Sequence, residues 1–246
     1  MRRRTLIGSL LAGLACSVAA CDDGKKASSE QGSEREDQDA RVEDNGPGPE
    51  EPPNTLSFFV TSDKSITGNL GGLSGADARC QKLAQAAGAG ARTFHAYLSA
   101  EHDPDNGGAA THARDRIGKG PWHNAKGALL AEDLAALHAR SGDADMFLDE
   151  NGEKINGQWL GSPTPNEHDV LTGSDMDGRL LSGKTCSDWT SEEATRSAQV
   201  GHSDGLGPMQ NGDPPYNSWQ SSHENGGCSD TAPRGGAGHL YCFAID

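Results

Sequence analysis

Gly72-Leu73-Ser74-Gly75-Ala76-Asp77-Ala78-Arg79-Cys80, followed by Thr93-Phe94-His95-Ala96-Tyr97-Leu98-Ser99, is the stretch on which the fold turns. Ser74 with Asp77 three residues later resembles a capping-box start, and Ala76, Cys80, Leu83, Ala84 and Ala87 then recur at helical spacing until Gly88. Cys80 therefore lies on the inward face of a predicted helix. Thr93 to Ser99 alternates instead, with Phe94, Ala96 and Leu98 on one face of a predicted strand. A helix and a strand in succession, both apolar on one side, set an α+β expectation.

Upstream, Leu56 to Thr61 carries Phe58, Phe59 and Val60 as a buried-strand signature. Downstream, Leu130, Leu134 and Leu137 mark a second short helix ended by Gly142. Asn151-Gly152, between Met146–Leu148 and Lys154–Ile155, signals a hairpin. Leu240 to Ile245 is apolar on both faces, which suits a central strand, and Cys242 lies within it. Long Gly, Ser, Asp and Pro stretches separate these pieces, above all 101–120 and 203–238. There is no internal repeat at solenoid or propeller spacing.

The chain has 246 residues, with 33 Gly, 6 Cys, 4 Trp, 3 Tyr and 5 Phe. So few aromatic side chains make a loop-rich domain that needs covalent help to hold together. The net charge of −15 argues against nucleic acid, heparin-like polyanions and anionic lipid as partners, because each needs a basic patch.

Arg2 to Arg4 and the apolar run Leu6 to Ala20 have the layout of a secretory signal over residues 1–20. Its end, Val18-Ala19-Ala20-Cys21, resembles the bacterial lipobox, which implies lipidation of Cys21. Ordinary cleavage after Ala20 is the alternative, and Cys16 is the weaker lipobox candidate. Lipidation would tether the mature chain to the cell envelope from outside the cytoplasm, at the outer membrane or cell surface. Residues 21–54 read as a disordered acidic linker: 22–54 hold eleven acidic and four basic residues with one Val, too little apolar area to offset ordering entropy. As a coil they reach about 30 Å. Residues 55–246 form the domain and keep a net charge of −11. Four cysteines remain there, Cys80, Cys186, Cys228 and Cys242, an even number that favours two disulfides with three possible connectivities. No pair has zinc-site spacing.

The opening motifs are similar to the first helix and following strand of the endostatin domain, the C-terminal domain of type XV and XVIII collagens. Asp115-Arg116-Ile117, Leu130 to Leu137, the hairpin near Phe147, Gly173-Ser174-Asp175 with Gly178-Arg179, Cys186 with Trp189, Cys228, and Tyr241-Cys242 continue the likeness in order. The resemblance spans nearly all of 56–246. It implies a compact variant of the C-type-lectin-like fold, a mixed sheet with few helices and long loops. It also implies nested disulfides, Cys80 to Cys242 and Cys186 to Cys228; the first would staple the predicted helix to the central strand. The animal domain holds zinc at N-terminal histidines, whereas Asn54 to Ser62 has none. Its heparin affinity rests on surface arginines that this acidic domain does not match. The Glu-Pro-Asn and Trp-Asn-Asp triplets of calcium-dependent lectins are absent, Asp213-Pro214 and Asn217-Ser218-Trp219 being a distant echo.

His202, Asp204, Ser222 and His223 have the residue types of a hydrolase or metal site, but no GxSxG elbow or HExxH helix accompanies them. Their expected role is to pin the long loop between Cys186 and Cys228. Asp103-x-Asp105-Asn106 and Asp175-x-Asp177-Gly178 resemble calcium-loop fragments and read first as turn formers. Trp189 is expected in the core against a disulfide. Trp219, flanked by Tyr216, Asn217 and Gln220 in a polar loop, is the expected ligand-binding aromatic, with Tyr216, Asn217, His202, Asp204 and His223 as companions. The nine histidines, with no i, i+4 pair, are expected at the surface. The expected function is a surface lipoprotein presenting a non-catalytic recognition domain for a protein or a neutral or cationic carbohydrate, without cofactor or metal. An enzyme using the His202/Asp204/His223 region and a self-associating envelope or matrix protein are the alternatives.

Overall fold

The computed structural model describes residues 54–246, so the expected signal, Cys21 and all but the last residue of the acidic linker lie outside the described residues. In chain order the strands are β1 (Phe58–Val60), β2 (Phe94–Ala96), β3 (Ala100–Asp103), β4 (Ala109–Thr111), β5 (Trp122–His123), β6 (Leu129–Ala131), β7 (Asp169–Leu171), β8 (Gln199–His202), β9 (His223–Glu224), β10 (Gly236–His239) and β11 (Tyr241–Ala244). The helices are α1 (Gly72–Ala86) and α2 (Leu134–Ala139). This is a mixed α+β architecture of small sheets, few helices and long connections.

The antiparallel sheet β1-β11-β2 is the centre of the molecule. Cys242 lies opposite Phe59 on one side and Ala96 on the other, so the predicted C-terminal strand is indeed central. Alternation along it sorts the core into two layers. Phe59, Cys242 and Ala244 face a layer with Leu73, Ala76, Cys80 and Ala84 of α1. Phe58, Tyr241 and Phe243 face the other, with Tyr97, Trp122, Phe147 and Trp219. Most of the few aromatic rings are spent in that second layer, in edge and tilted contacts such as Phe58–Phe147 at 5.2 Å and Tyr97–Trp219 at 4.8 Å.

The disulfides join Cys80 to Cys242 (Cα–Cα 5.5 Å) and Cys186 to Cys228 (5.7 Å). The first staples α1 to β11. Near the second, Cys186 to Trp189 all have positive φ, between 46° and 65°, a left-handed turn of four L-residues. Each such residue costs about 1–2 kcal/mol. The turn is held by the disulfide, by Trp189 Nε1 donating to the Ser99 carbonyl at 2.8 Å, and by Asp188 accepting from Glu101 N. Trp189 is fully buried in the layer that contains this disulfide, as its sequence position suggests.

Local expectations fail where tertiary partners compete. Helix α1 starts at Gly72 behind a left-handed Gly71, without a side-chain cap, so Ser74 and Asp77 make no capping box. Asp77 instead accepts from Ala96 N at 2.8 Å and Arg116 at 2.6 Å, tying α1 to β2. Leu130 belongs to β6, paired with β5, and α2 begins only after Asp133, whose carboxylate caps Ala136 N. Trp219 is not a surface aromatic. It is fully buried, Nε1 donating to the Leu137 carbonyl at 3.1 Å, so its polar neighbours in sequence misrepresent its environment. The histidines are not all at the surface either: His168, His202 and His239 are buried.

The two disulfides suit an oxidising, extracytoplasmic environment. No helix among the described residues is long and apolar enough to cross a membrane.

Candidate functional site

Three adjacent strands assemble the most unusual polar group among the described residues. In the β7/β8 register Asp169 lies directly opposite His202, and in β8/β9 Val200 lies opposite His223. Val200 and His202 are two residues apart, so the period-2 alternation brings Asp169, His202 and His223 to one face. His168, at the entrance to β7, reaches the same carboxylate.

The distances converge. Asp169 Oδ1 is 3.3 Å from His168 Nε2 and 3.4 Å from His202 Nε2; Oδ2 is 3.6 Å from His223 Nε2. The Nε2 atoms of His202 and His223 are 3.0 Å apart. The Asp169 side chain is 1% exposed, yet neither oxygen has a hydrogen-bond partner, because no imidazole N–H is aimed at it. His223 alone opens to solvent, at 29%.

Two of the three outer nitrogens are tied down, while His202 Nδ1 is buried without a hydrogen-bond partner. His168 Nδ1 donates to Asp204 Oδ1 at 2.7 Å, and His223 Nδ1 donates to the Glu224 carbonyl at 2.9 Å. Asp204 also accepts from Gln158 N at 2.6 Å and Leu206 N at 3.0 Å, which joins the loop around residue 158 to the loop after β8. The Tyr216 ring lies parallel to His202, centroids 5.9 Å apart.

Burial dominates the protonation behaviour. It pushes the Asp169 carboxyl up to about 6, against the pull of His168 and His223. It pushes His202 down to about 3, helped by repulsion from His168 and His223. Burial alone would raise Asp204, but the His168 hydrogen bond and charge and the two backbone donors hold it below the ordinary carboxylate range.

Of the sequence candidates, His202, Asp204 and His223 do come together, with Tyr216 at the edge. Asn217 is only half-buried and its carbonyl accepts from Gly142 N; Trp219 belongs to the core. The Ser222 hydroxyl donates to the carbonyls of Pro215 and Ser218 and is not poised as a nucleophile towards His223. Both calcium-loop fragments are turn formers: Asp175 accepts from Asp177 N and Arg179 N, and Asp103 from Asp105 N and the Thr111 hydroxyl. Sequence reasoning missed His168 and Asp169. The available signal was two ionisable residues abutting the apolar run Val170-Leu171.

No protein-family model matches the chain, and no curated protein is significantly similar to it in sequence. The site must be read from its own chemistry: three imidazoles and one carboxylate, a donor set for a cation or for proton exchange.

His239, a separate buried imidazole on β10, donates from Nδ1 to the Thr61 carbonyl at 2.6 Å. Burial pushes it down to about 4, with Glu167 opposing and Arg79 and Lys64 reinforcing. A histidine kept neutral in the fold but protonated when unfolded stabilises the protein above its unfolded value and loses that contribution on acidification. Stability should therefore fall by about 2–3 kcal/mol between pH 6.5 and pH 4 through this residue. Denaturant titrations of His239→Gln against the parent should show a flatter acid limb; parallel limbs would refute the assignment.

Proposed function

We propose that the chain is an exported, lipid-anchored surface protein whose endostatin-like, C-type-lectin-like domain is a recognition module, held off the membrane by its acidic linker. Nested disulfides, Cys80 to Cys242 and Cys186 to Cys228, are what the endostatin resemblance implies, and they support this reading. The ligand class is a protein or a neutral or cationic carbohydrate, given the domain's charge of −11.

One observation carries the reading. The two loops clamped at Asp204 each present a large apolar side chain to solvent: Leu160, 85% exposed, in the turn closed by Ser162 N donating to Trp159 O, and Met209, 95% exposed, in the loop closed by Gly207 N donating to Asn211 O. Apolar side chains at fixed loop tips provide contact area at little ordering cost. Their replacement, Leu160→Asp with Met209→Asp, should weaken binding of the protein to isolated envelope fractions about tenfold or more. Tm should stay within about 2 °C, since neither side chain is packed. Undiminished binding would move the recognition face elsewhere.

Catalysis at His202/Asp204/His223 is the second reading, favoured by the clustering itself. Against it, Asp204 is committed to His168 and two backbone donors, and Ser222 to two carbonyls. Self-association would appear as a concentration-dependent sedimentation coefficient.

A further inference from the structure

We propose that His168, Asp169, His202 and His223 are the ligands of a single zinc-class divalent ion. The inference stands on side-chain geometry and does not depend on the display reading; it departs from the sequence-based expectation of no metal.

Asp169 supplies the strongest reason. A carboxylate 1% exposed with both oxygens unpartnered is costly in any protein, and one that persists needs a compensating charge. The neighbours close enough to help are imidazole nitrogens, and they meet it in geometry that suits no hydrogen bond. The same geometry suits a central cation. Four N and O donors placed tetrahedrally at about 2.0–2.1 Å from zinc stand about 3.3 Å from one another. The contacts here are 3.3 and 3.4 Å from Asp169 Oδ1 to Nε2 of His168 and His202, 3.6 Å from Oδ2 to Nε2 of His223, and 3.0 Å between the Nε2 atoms of His202 and His223. Ligand atoms of His168, Asp169 and His202, one from each, lie within 4.8 Å of one another, and His223 adjoins them from the solvent side.

The tautomers of two of the three rings agree, His202 Nδ1 being buried without a partner. A carboxylate and a carbonyl accept from the Nδ1 atoms of His168 and His223, so the proton of each neutral ring sits on the outer nitrogen and the Nε2 lone pair faces inward. A carboxylate behind an imidazole, as Asp204 stands behind His168, is a recurrent support for metal-bound histidine. The charge closes too, because Asp169 and Asp204 together balance a divalent ion. Imidazole-rich donors without thiolate favour zinc and its neighbours over calcium or magnesium. The partly exposed edge at His223 gives the ion a way in.

His168, Asp169 and His202 supply the buried core of the shell, and His223 would complete a tetrahedral set from its solvent edge, which would make this a structural centre. It would fasten β7, β8 and β9 to one another and, through His168 and Asp204, fix the loops that carry Leu160 and Met209.

The test uses the full chain, stripped with EDTA and titrated with zinc chloride by calorimetry, with bound metal counted by elemental analysis. One equivalent should bind, and a hundredfold excess over Kd should raise Tm by about 5–10 °C. Cobalt substitution should give the visible absorption of a tetrahedral N/O site. Asp169→Asn and His223→Ala should each weaken zinc affinity by about 100-fold. In EDTA, Asp169→Asn should melt no lower than the parent, because it removes an uncompensated buried charge; His223, being partly exposed, keeps the test valid if the first variant does not fold. Failure of the parent to take up zinc saturably, or unchanged affinity in both variants, would overturn the proposal. Envelope binding by the Leu160/Met209 variant is read separately, so loss of either idea leaves the other standing.

Discussion

Replacing Cys80 and Cys242 together with serine should lower Tm by about 10–20 °C under non-reducing conditions. The bridge closes a loop with a sequence separation of 162, which in the chain-entropy model removes about 5 kcal/mol of freedom from the unfolded chain. A domain of this size shifts by about 2–4 °C per kcal/mol. The Cys186–Cys228 bridge spans 42 residues and contributes about 4 kcal/mol on the same reckoning. The first bridge also ties α1 to the middle strand of the central sheet, with both cysteines fully buried, so its loss leaves two hydroxyls in an apolar layer. Calorimetric melts of the double-serine variant are the measurement; a fall of less than about 5 °C would mean that packing alone holds α1 in place.

Trp219→Ala should cost about 3–5 kcal/mol, the range for emptying a large aromatic site in a core. The indole contacts Tyr97 at 4.8 Å, Tyr241 at 5.2 Å and Phe147 at 5.7 Å, and its Nε1 satisfies the Leu137 carbonyl. Removal therefore opens a cavity among rings and strands a buried acceptor. Trp219→Phe keeps most of the packing, loses only the hydrogen bond, and should cost about 1–2 kcal/mol. Urea titrations of the three proteins should rank parent, Phe, Ala. Ligand binding that survives in the Phe variant and disappears in Ala in step with unfolding would separate this core role from recognition. A stable, well-folded Ala variant would contradict it.

The regular parts of the fold were legible because burial left periodic marks. The inward positions Ala76, Cys80 and Ala84 of α1 and the two-sided apolar run at β11 are local patterns that the tertiary structure preserves. Trp219 was not legible. It sits in a Ser-rich loop whose backbone bonds to β8, where His202 N donates to Ser218 O and Ser222 N to Val200 O, while one side chain enters the core. The candidate site is half legible: the sequence marks out His202, Asp204 and His223, but Asp169 reads as the edge of an ordinary strand. Only the register across β7, β8 and β9 shows that its carboxylate meets three rings, and register between strands separated by long loops leaves little local trace.

The placement of β11 carries a consequence for how the molecule comes to be folded. Residues 241–244 lie between strands formed by residues 58–60 and 94–96. A ribosome or translocon releasing the chain N-terminus first delivers that keystone after nearly everything it must hold together. Until it arrives, β1 and β2 have no common partner and Cys80 has no Cys242. Maturation must therefore be a late, concerted event, and a stalled nascent chain lacking the last strand would be a client for chaperones and thiol oxidases rather than a partly working domain.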